Sequence, residues 1–277
     1  MDCTVVTTFN LSGYQQYASR MIDTWLENWP SSVTLCVYAE NCVPTQTAAN
    51  LRMQDLAEAS PELLRFKSQW QSVPRATGDV SDDPVRSRRK DSGKGFKWDA
   101  VRFAHKVYAI FACAQHCDSD WLVWMDADMV CHSAITVVDL DSMCPPDRDL
   151  CYLGRKNKYS ECGLYAMNLR SARTQAFLQE FQRVYDDADN GIFLLEEWHD
   201  SFVFDSVRRR MDLRTLDWSA TLGDLRAMPT VSPGEGHPLI NSKWGRWLDH
   251  LKGDRKQLGR SKTRDIKVQR DEPYWRI

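Results

Sequence analysis

Apolar and polar positions alternate along this chain in two periods, one of strands and one of helices. Cys3 to Phe9 runs from apolar to polar and is β-rich, so it reads as a first strand. Tyr14, Tyr17, Met21 and Trp25 follow at helical spacing, and Pro30 ends that stripe. Val33, Leu35 and Val37 then alternate with Thr34, Cys36 and Tyr38, which predicts a second strand. Strand, helix, strand in this order is a βαβ unit with a right-handed crossover. Residues 47–72 read as mostly helical, with Pro61 as a break or a first-turn residue. From Lys97 to Cys113 a helix is predicted, with Val101, Ala104, Tyr108 and Phe111 on one face. Arg102 and Lys106 lie off that stripe, one turn apart, as on a solvent-facing side. Further strands are expected at Leu150 to Leu153 and around Gly163, and a helix from a Ser171 cap to about Tyr185. The fold class is α/β, with a central, mostly parallel sheet.

The stretch Trp121 to Val130 stands out from this pattern. Trp121 to Met125 is uninterrupted apolar sequence, as in a strand buried on both faces. It ends in two carboxylates, Asp126 and Asp128, separated by Ala127. Ligands of open α/β sheets bind beyond the carboxyl ends of the strands. Residues i and i+2 of an extended segment point the same way, so both acids can reach one cation. Oxygen donors with no thiolate pair nearby suit Mg²⁺ or Mn²⁺ better than Zn²⁺. An acidic pair after a strand is also ordinary turn chemistry, and spacing alone leaves both readings open.

Composition changes little. The 277 residues can bury a full core, and a formal net charge of -2 implies no partner by bulk charge. Nine scattered cysteines without zinc-ribbon spacing suggest reduced thiols and a cytoplasmic protein. A strand begins almost at Met1, so no leader is expected, and no apolar run is long enough to span a bilayer. No repeat or linker divides the chain, so residues 1–277 are expected to be one domain with a basic C-terminal segment.

Local charge matters more. Arg86, Arg88, Arg89, Lys90 and Lys94 crowd a polar, turn-rich stretch from Pro74 to Gly95. It reads as a solvated mobile loop, as a lid, or as a contact for a polyanion, and charge alone favours the loop. Thr7, Thr8 and Asn10 end the first strand, where they face a nucleotide or merely cap the next helix. Asp200, ahead of apolar residues at helical spacing, is equally a cap or a functional acid. His250 is by itself most simply a satisfied histidine near a helix end, beside Asp249.

Two motifs in order give these residues a common reading. Asp126-Ala127-Asp128 resembles the D-x-D motif of GT-A glycosyltransferases, and His250-x-x-Gly253-x-x-Lys256 resembles the late H-x-x-G-x-x-K motif of glycosyltransferase family eight, the glycogenin-like retaining enzymes. Glu161-Cys162-Gly163 is similar to that family's Asn-x-Gly strand, with Glu in place of Asn. Asp200-Ser201 is similar to its Asp-Gln pair, with Ser in place of Gln. The Pro-Trp usual after the motif's Lys is absent. The resemblance implies a Rossmann-like GT-A fold, a UDP-sugar donor and Mn²⁺ (or Mg²⁺) held by Asp126, Asp128 and His250. It implies Lys256 and Arg102 at the diphosphate and Gly253 permitting close approach. Thr7, Thr8 and Asn10 then lie near uracil and ribose, and Asp200, with Glu161 a weaker neighbour, at the reacting sugar carbon. The compact chain also resembles bacteriophage glycosyltransferases, some of which modify hydroxymethylated bases such as 5-hydroxymethylcytosine in DNA. That likeness implies a host-cytoplasmic enzyme, with the basic stretches 86–97 and 252–270 meeting phosphates. A nucleotidyltransferase, or a non-catalytic nucleotide- or DNA-binding protein on the same scaffold, are the competing readings.

Overall fold

The computed structural model describes residues 1–220, 224–226 and 237–276. Strand β1 (Cys3–Asn10) leads through α1 (Leu11–Gly13) and a π turn into α2 (Ser19–Asn28), then to β2 (Thr34–Glu40) and β3 (Leu51–Asp55). Helices α3 (Leu56–Ala59), α4 (Pro61–Trp70) and α5 (Ala100–His116) precede β4 (Trp121–Met125) and β5 (Met129–Cys131). Then come α6 (Val137–Met143), β6 (Leu150–Leu153), β7 (Glu161–Asn168), α7 (Ala172–Asp186), α8 (Asp200–Arg208), β8 (Thr215–Asp217), β9 (Leu248–His250) and α9 (Arg255–Leu258).

Seven strands form a mixed but mostly parallel sheet in the order β3-β2-β1-β4-β7-β6-β8. β1, β2, β3 and β4 run parallel, β7 runs against both its neighbours, and β8 pairs parallel with β6. Every residue of β4 is buried, because β1 and β7 flank it and both faces are covered. Successive residues of β1 feed opposite cores. Val5 packs with Met21, Trp25 and Leu35 on one face, and Val6 with Ala104, Tyr108 and Leu122 on the other. Since β1 lies between β2 and β4, the chain leaves it in one direction and returns beside it from the other. The crevice at this switch point opens at the carboxyl ends of β1 and β4.

Two sequence expectations need correction. Residues 47–72 are helical over Leu56–Ala59 and Pro61–Trp70, but Leu51–Asp55 is the edge strand β3, with Leu51 opposite Leu35. An edge strand buries little, so its apolar positions, Leu51 and Met53, leave only a faint period-two signal. Pro61 sits in the first turn of α4, whose cap is Ser60. The basic stretch after Pro74 is solvated only in part, since Arg88, Lys90 and Lys94 are exposed but Arg86, Arg89 and Lys97 are tied down. Arg86 donates to the Leu195 carbonyl (2.8 Å) and stacks over Trp198, Arg89 pairs with Asp91 and Glu196, and Lys97 pairs with Glu197 at 2.6 Å. These acids stitch it to the segment before α8. Among the described residues no helix is long and apolar enough to cross a membrane.

Candidate active site

The turn after β4 is built by two backbone bonds. The Asp126 amide donates to the Gly163 carbonyl of β7 (2.8 Å), and the Met129 amide to the Asp126 carbonyl (3.3 Å). The chain then enters β5, which pairs antiparallel with β9 so that Met129 faces His250. The Leu251 amide donates to the Asp128 carbonyl at 2.9 Å. This short ribbon is what carries a late histidine back to the acidic turn. Ligand atoms of Asp126, Asp128 and His250 lie within 4.8 Å of one another.

The donor set fits a divalent cation. His250 is fully buried, and Nε2 lies 3.0 Å from Asp128 Oδ1 and 3.5 Å from Asp126 Oδ2. Neither ring nitrogen makes an aligned hydrogen bond. A buried imidazole nitrogen left unsatisfied between two carboxylates is what a cation would complete. Asp249, its chain neighbour, points elsewhere and accepts from the Ser261 amide (2.7 Å) and the Tyr274 hydroxyl (2.9 Å), so it does not satisfy His250. Gly163 also has a reason: a Cβ there would come within 2.6 Å of the His250 ring nitrogen Nδ1.

Basic neighbours hold Asp128, Glu161 and Asp200 ionised. Lys106 donates to Asp126 Oδ1 (3.0 Å), to Asp200 Oδ2 (2.7 Å) and to the Cys162 carbonyl, under the ring of Trp124. The Trp124 indole also donates to Asp126 Oδ1 (2.8 Å), which leaves Oδ2 toward His250. Burial pulls the Lys106 ammonium down, but Asp126 and Asp200 outweigh it and hold the cation well above the lysine range. Burial likewise pushes the Asp200 carboxyl up, and Lys106 more than reverses it. Lys256 lies 2.9 Å from Asp128 Oδ2. Asp128 is held below the carboxylate range because His250 and Lys256 outweigh its burial. Glu161, also buried, is kept ionised by Lys252 at 2.5 Å and by Arg155, and its Oε1 lies 3.6 Å from His250 Nδ1.

The remaining sequence candidates divide. Thr8, Asn10, Arg102 and Lys256 line one cavity with Tyr17, Asp126, Asp128 and Asp200. Within it Thr8 donates to the Tyr38 carbonyl (2.6 Å), and Asn10 caps α1 through the Gly13 amide (2.9 Å). Thr7 does not join them. It is fully buried, because strand alternation turns it to the face opposite Thr8. Gly253 lines the neighbouring cavity at φ +63, where a side chain is strained although the space beside it is open. Asp200 is not the cap of α8. The His199 ring accepts from the Phe202 amide, which leaves the Asp200 carboxylate for the site. Lys106, expected on a solvent face, lies instead between Asp126 and Asp200. The signal was present: Val107 to Cys113 is wholly apolar, so this part of α5 has no solvent side for a charge.

No protein-family model matches the chain, and no curated protein does. Among solved structures, the chain is similar to the bifunctional glycosyltransferase WbbM, at 12% identity and a TM-score of 0.46, over 79% of this chain and 39% of that one. It is also similar to an active-site mutant of LgtC, at 11% identity and a TM-score of 0.49, over 90% of this chain and 87% of that one. The chain thus spans about two fifths of the WbbM chain. At these values the likeness concerns the course of the chain, and the chemistry rests on the residues described above.

Proposed function

We propose that this chain, as one GT-A domain, is a metal-dependent glycosyltransferase that moves a sugar from a UDP-sugar to a hydroxyl acceptor with retention. The observation that carries the reading is the Asp126–Asp128–His250 cluster at the switch point, with Lys256 and Arg102 lining the same cleft. Asp126, Asp128 and His250 would hold Mn²⁺ or Mg²⁺, which when bound supplies positive charge to a departing diphosphate. Lys256 and Arg102 add two protein cations for its oxygens. Thr8, Asn10 and the ring of Tyr17 line the part of the cleft assigned to the nucleoside. Asp200, kept ionised by Lys106, faces the side assigned to the sugar, where it stabilises positive charge growing at the reacting carbon. Glu161, the weaker neighbour of Asp200, lines the same cavity. Its carboxylate sits by the far nitrogen of His250, and a carboxylate there fixes the ring of a metal-facing histidine. The acceptor's proton passes to an oxygen of the leaving diphosphate, so no side chain is assigned as base.

For a DNA acceptor, the two basic stretches 86–97 and 252–270 offer less charge than their sequence suggests. Lys252, Arg255 and Lys262 are paired with Glu161, Asp265 and Asp254, as Arg86, Arg89 and Lys97 are paired elsewhere.

UDP release from a panel of UDP-sugars in Mn²⁺ tests the reading, and chelator is expected to abolish it. UDP affinity indifferent to both Mn²⁺ and chelator contradicts it. Lys256→Ala is expected to weaken UDP by about 10-fold or more and uridine by less than about 2-fold, as removal of a charge-assisted phosphate contact requires. Titration calorimetry with both ligands decides, and equal losses would take Lys256 away from the phosphates.

A further inference from the structure

The far end of the sheet holds a second group of reactive side chains. Cys36, Cys113 and Cys117 line one cavity between β2, β3 and the end of α5. Thr4, near the start of β1, and Thr34, the first residue of β2, line it too. The cavity therefore lies at the amino ends of the strands, opposite the ends that frame the metal centre. Of the nine cysteines only Cys36, Cys42 and Cys117 are not buried, and two of those three open here.

The three thiols form a row with Cys113 in the middle. The buried Cys113 thiol is hydrogen-bonded to Cys36 on one side and to Cys117 on the other. Cys117 sits just past the last turn of α5 and gathers further donors. The Ser119 amide and the hydroxyls of Ser119 and Thr4 donate to its sulfur, and those hydroxyls lie 2.9 Å apart. The Cys113 bond first, and these donors with it, outweigh burial and bring the Cys117 thiol down to about 6. Cys113 moves the other way, because its bonds to Cys117 and Cys36, and its burial, keep its proton in place. Burial also pushes up the Tyr38 hydroxyl beside Cys113, and the thiol of Cys42, which lies outside the cavity. The charged residues lining the cavity are Asp2, Asp118, Arg52 and His116, all exposed. Opposite signs face each other there, so an uncharged reagent enters as readily as an anion. A thiolate held by donors beside a protonated thiol is the arrangement of an attacking and a resolving cysteine. Four residues of helix rise about 6 Å, within the Cα separation of about 4.4–6.8 Å that a disulfide spans.

We infer that Cys117 and Cys113 are a hydroperoxide-reactive pair, in which Cys117 takes the peroxide oxygen and Cys113 closes the disulfide. The Cys117 sulfur attacks one peroxide oxygen, and the O–O bond breaks. That oxygen stays on sulfur as a sulfenic acid, while the other leaves as hydroxide or alkoxide and takes a proton from water. The Cys113 sulfur then bonds that of Cys117, the S–O bond breaks, and the oxygen leaves as water with the Cys113 proton. Both sulfurs are oxidised and the peroxide is reduced. The reaction uses neither metal nor nucleotide, so it stands apart from the glycosyltransferase reading.

The test treats the reduced full chain with equimolar hydrogen peroxide at neutral pH and maps the product by non-reducing mass spectrometry. The expected product has lost two hydrogens, carries a Cys113–Cys117 disulfide and is restored by dithiothreitol. In Cys113→Ala the sulfenic acid persists, and dimedone labels Cys117. Should that variant fail to fold, Cys117→Ala, at a partly exposed position, decides: Cys113 then enters no disulfide. Without peroxide, the rate of iodoacetamide alkylation at Cys117 falls only about 2-fold from about pH 8 to about pH 6, whereas that at Cys42 falls about 100-fold. A Cys117 rate that falls in step with that of Cys42 overturns the thiolate. Thiols that all stay reduced overturn the reactivity, and a Cys36–Cys113 disulfide, or dimedone on Cys36 or Cys42 instead, takes the attack away from Cys117. Sulfinic acid accumulating at Cys117 in the wild type, with no disulfide, removes Cys113 as the resolving thiol.

Discussion

Lys106→Met is expected to lower the melting temperature by about 10 °C and to cut sugar transfer by about 100-fold or more. The replacement keeps the unbranched stem and removes only the charge. Lys106 is buried and is the shared partner of Asp126 and Asp200. Without it Asp126 loses an ion-pair partner and the Asp200 carboxylate is left in a site where burial opposes its charge. Breaking a buried ion pair from one side costs about 3–5 kcal/mol, and in a chain of this size each kcal/mol moves the midpoint by about 2–4 °C. The activity loss has a separate cause, because both acids lose the group that fixes them, and small misplacements cost about 100-fold in rate. A double-mutant cycle separates the effects. Asp200→Asn in the Lys106→Met background is expected to recover part of the stability and none of the activity. A melting temperature within about 2 °C of wild type would show that Lys106 is not the electrostatic centre of this cleft.

Asp128→Ala is expected to abolish the dependence of UDP binding on Mn²⁺. In the wild type, Mn²⁺ should tighten UDP by about 100-fold, and in the variant the affinities with Mn²⁺ and with chelator should coincide. Even residues that only support a metal ligand change metal affinity by about 10- to 100-fold, and a direct ligand should reach the upper end. Asp128 also bridges His250 at 3.0 Å and Lys256 at 2.9 Å, so its loss loosens two other groups of the cleft. Asp128→Asn, of the same shape, controls for that loosening. Wild-type Mn²⁺ dependence in Asp128→Ala would remove the cation from this carboxylate.

The parts of the fold legible in the sequence are those where burial is complete and periodic. β4 was visible because both its faces are covered, which makes five consecutive apolar residues necessary. Edge strand β3 was missed because half-exposed positions carry little pattern. Asp126 and Asp128 announced themselves by sitting two apart at a strand end. His250 could not be joined to them by local reasoning, since the β5–β9 ribbon that unites them is a pairing between distant segments. Lys106 was lost for a related reason. A charge off an apolar stripe normally faces water, but here β7 and α8 close over that side of α5 and supply the Cys162 carbonyl and Asp200. The stretch 86–97 failed in the opposite direction. Arg89 and Lys97 look free in the sequence because two of their partners, Glu196 and Glu197, lie far along the chain.

Diffraction at the manganese absorption edge, from crystals grown with Mn²⁺ and UDP, is the most direct test of the metal centre. An anomalous peak touching Asp126, Asp128 and His250, with the diphosphate reaching toward Lys256, is the expected result. UDP bound with no peak among those three residues, or a peak elsewhere in the molecule, would contradict the assignment of this cleft.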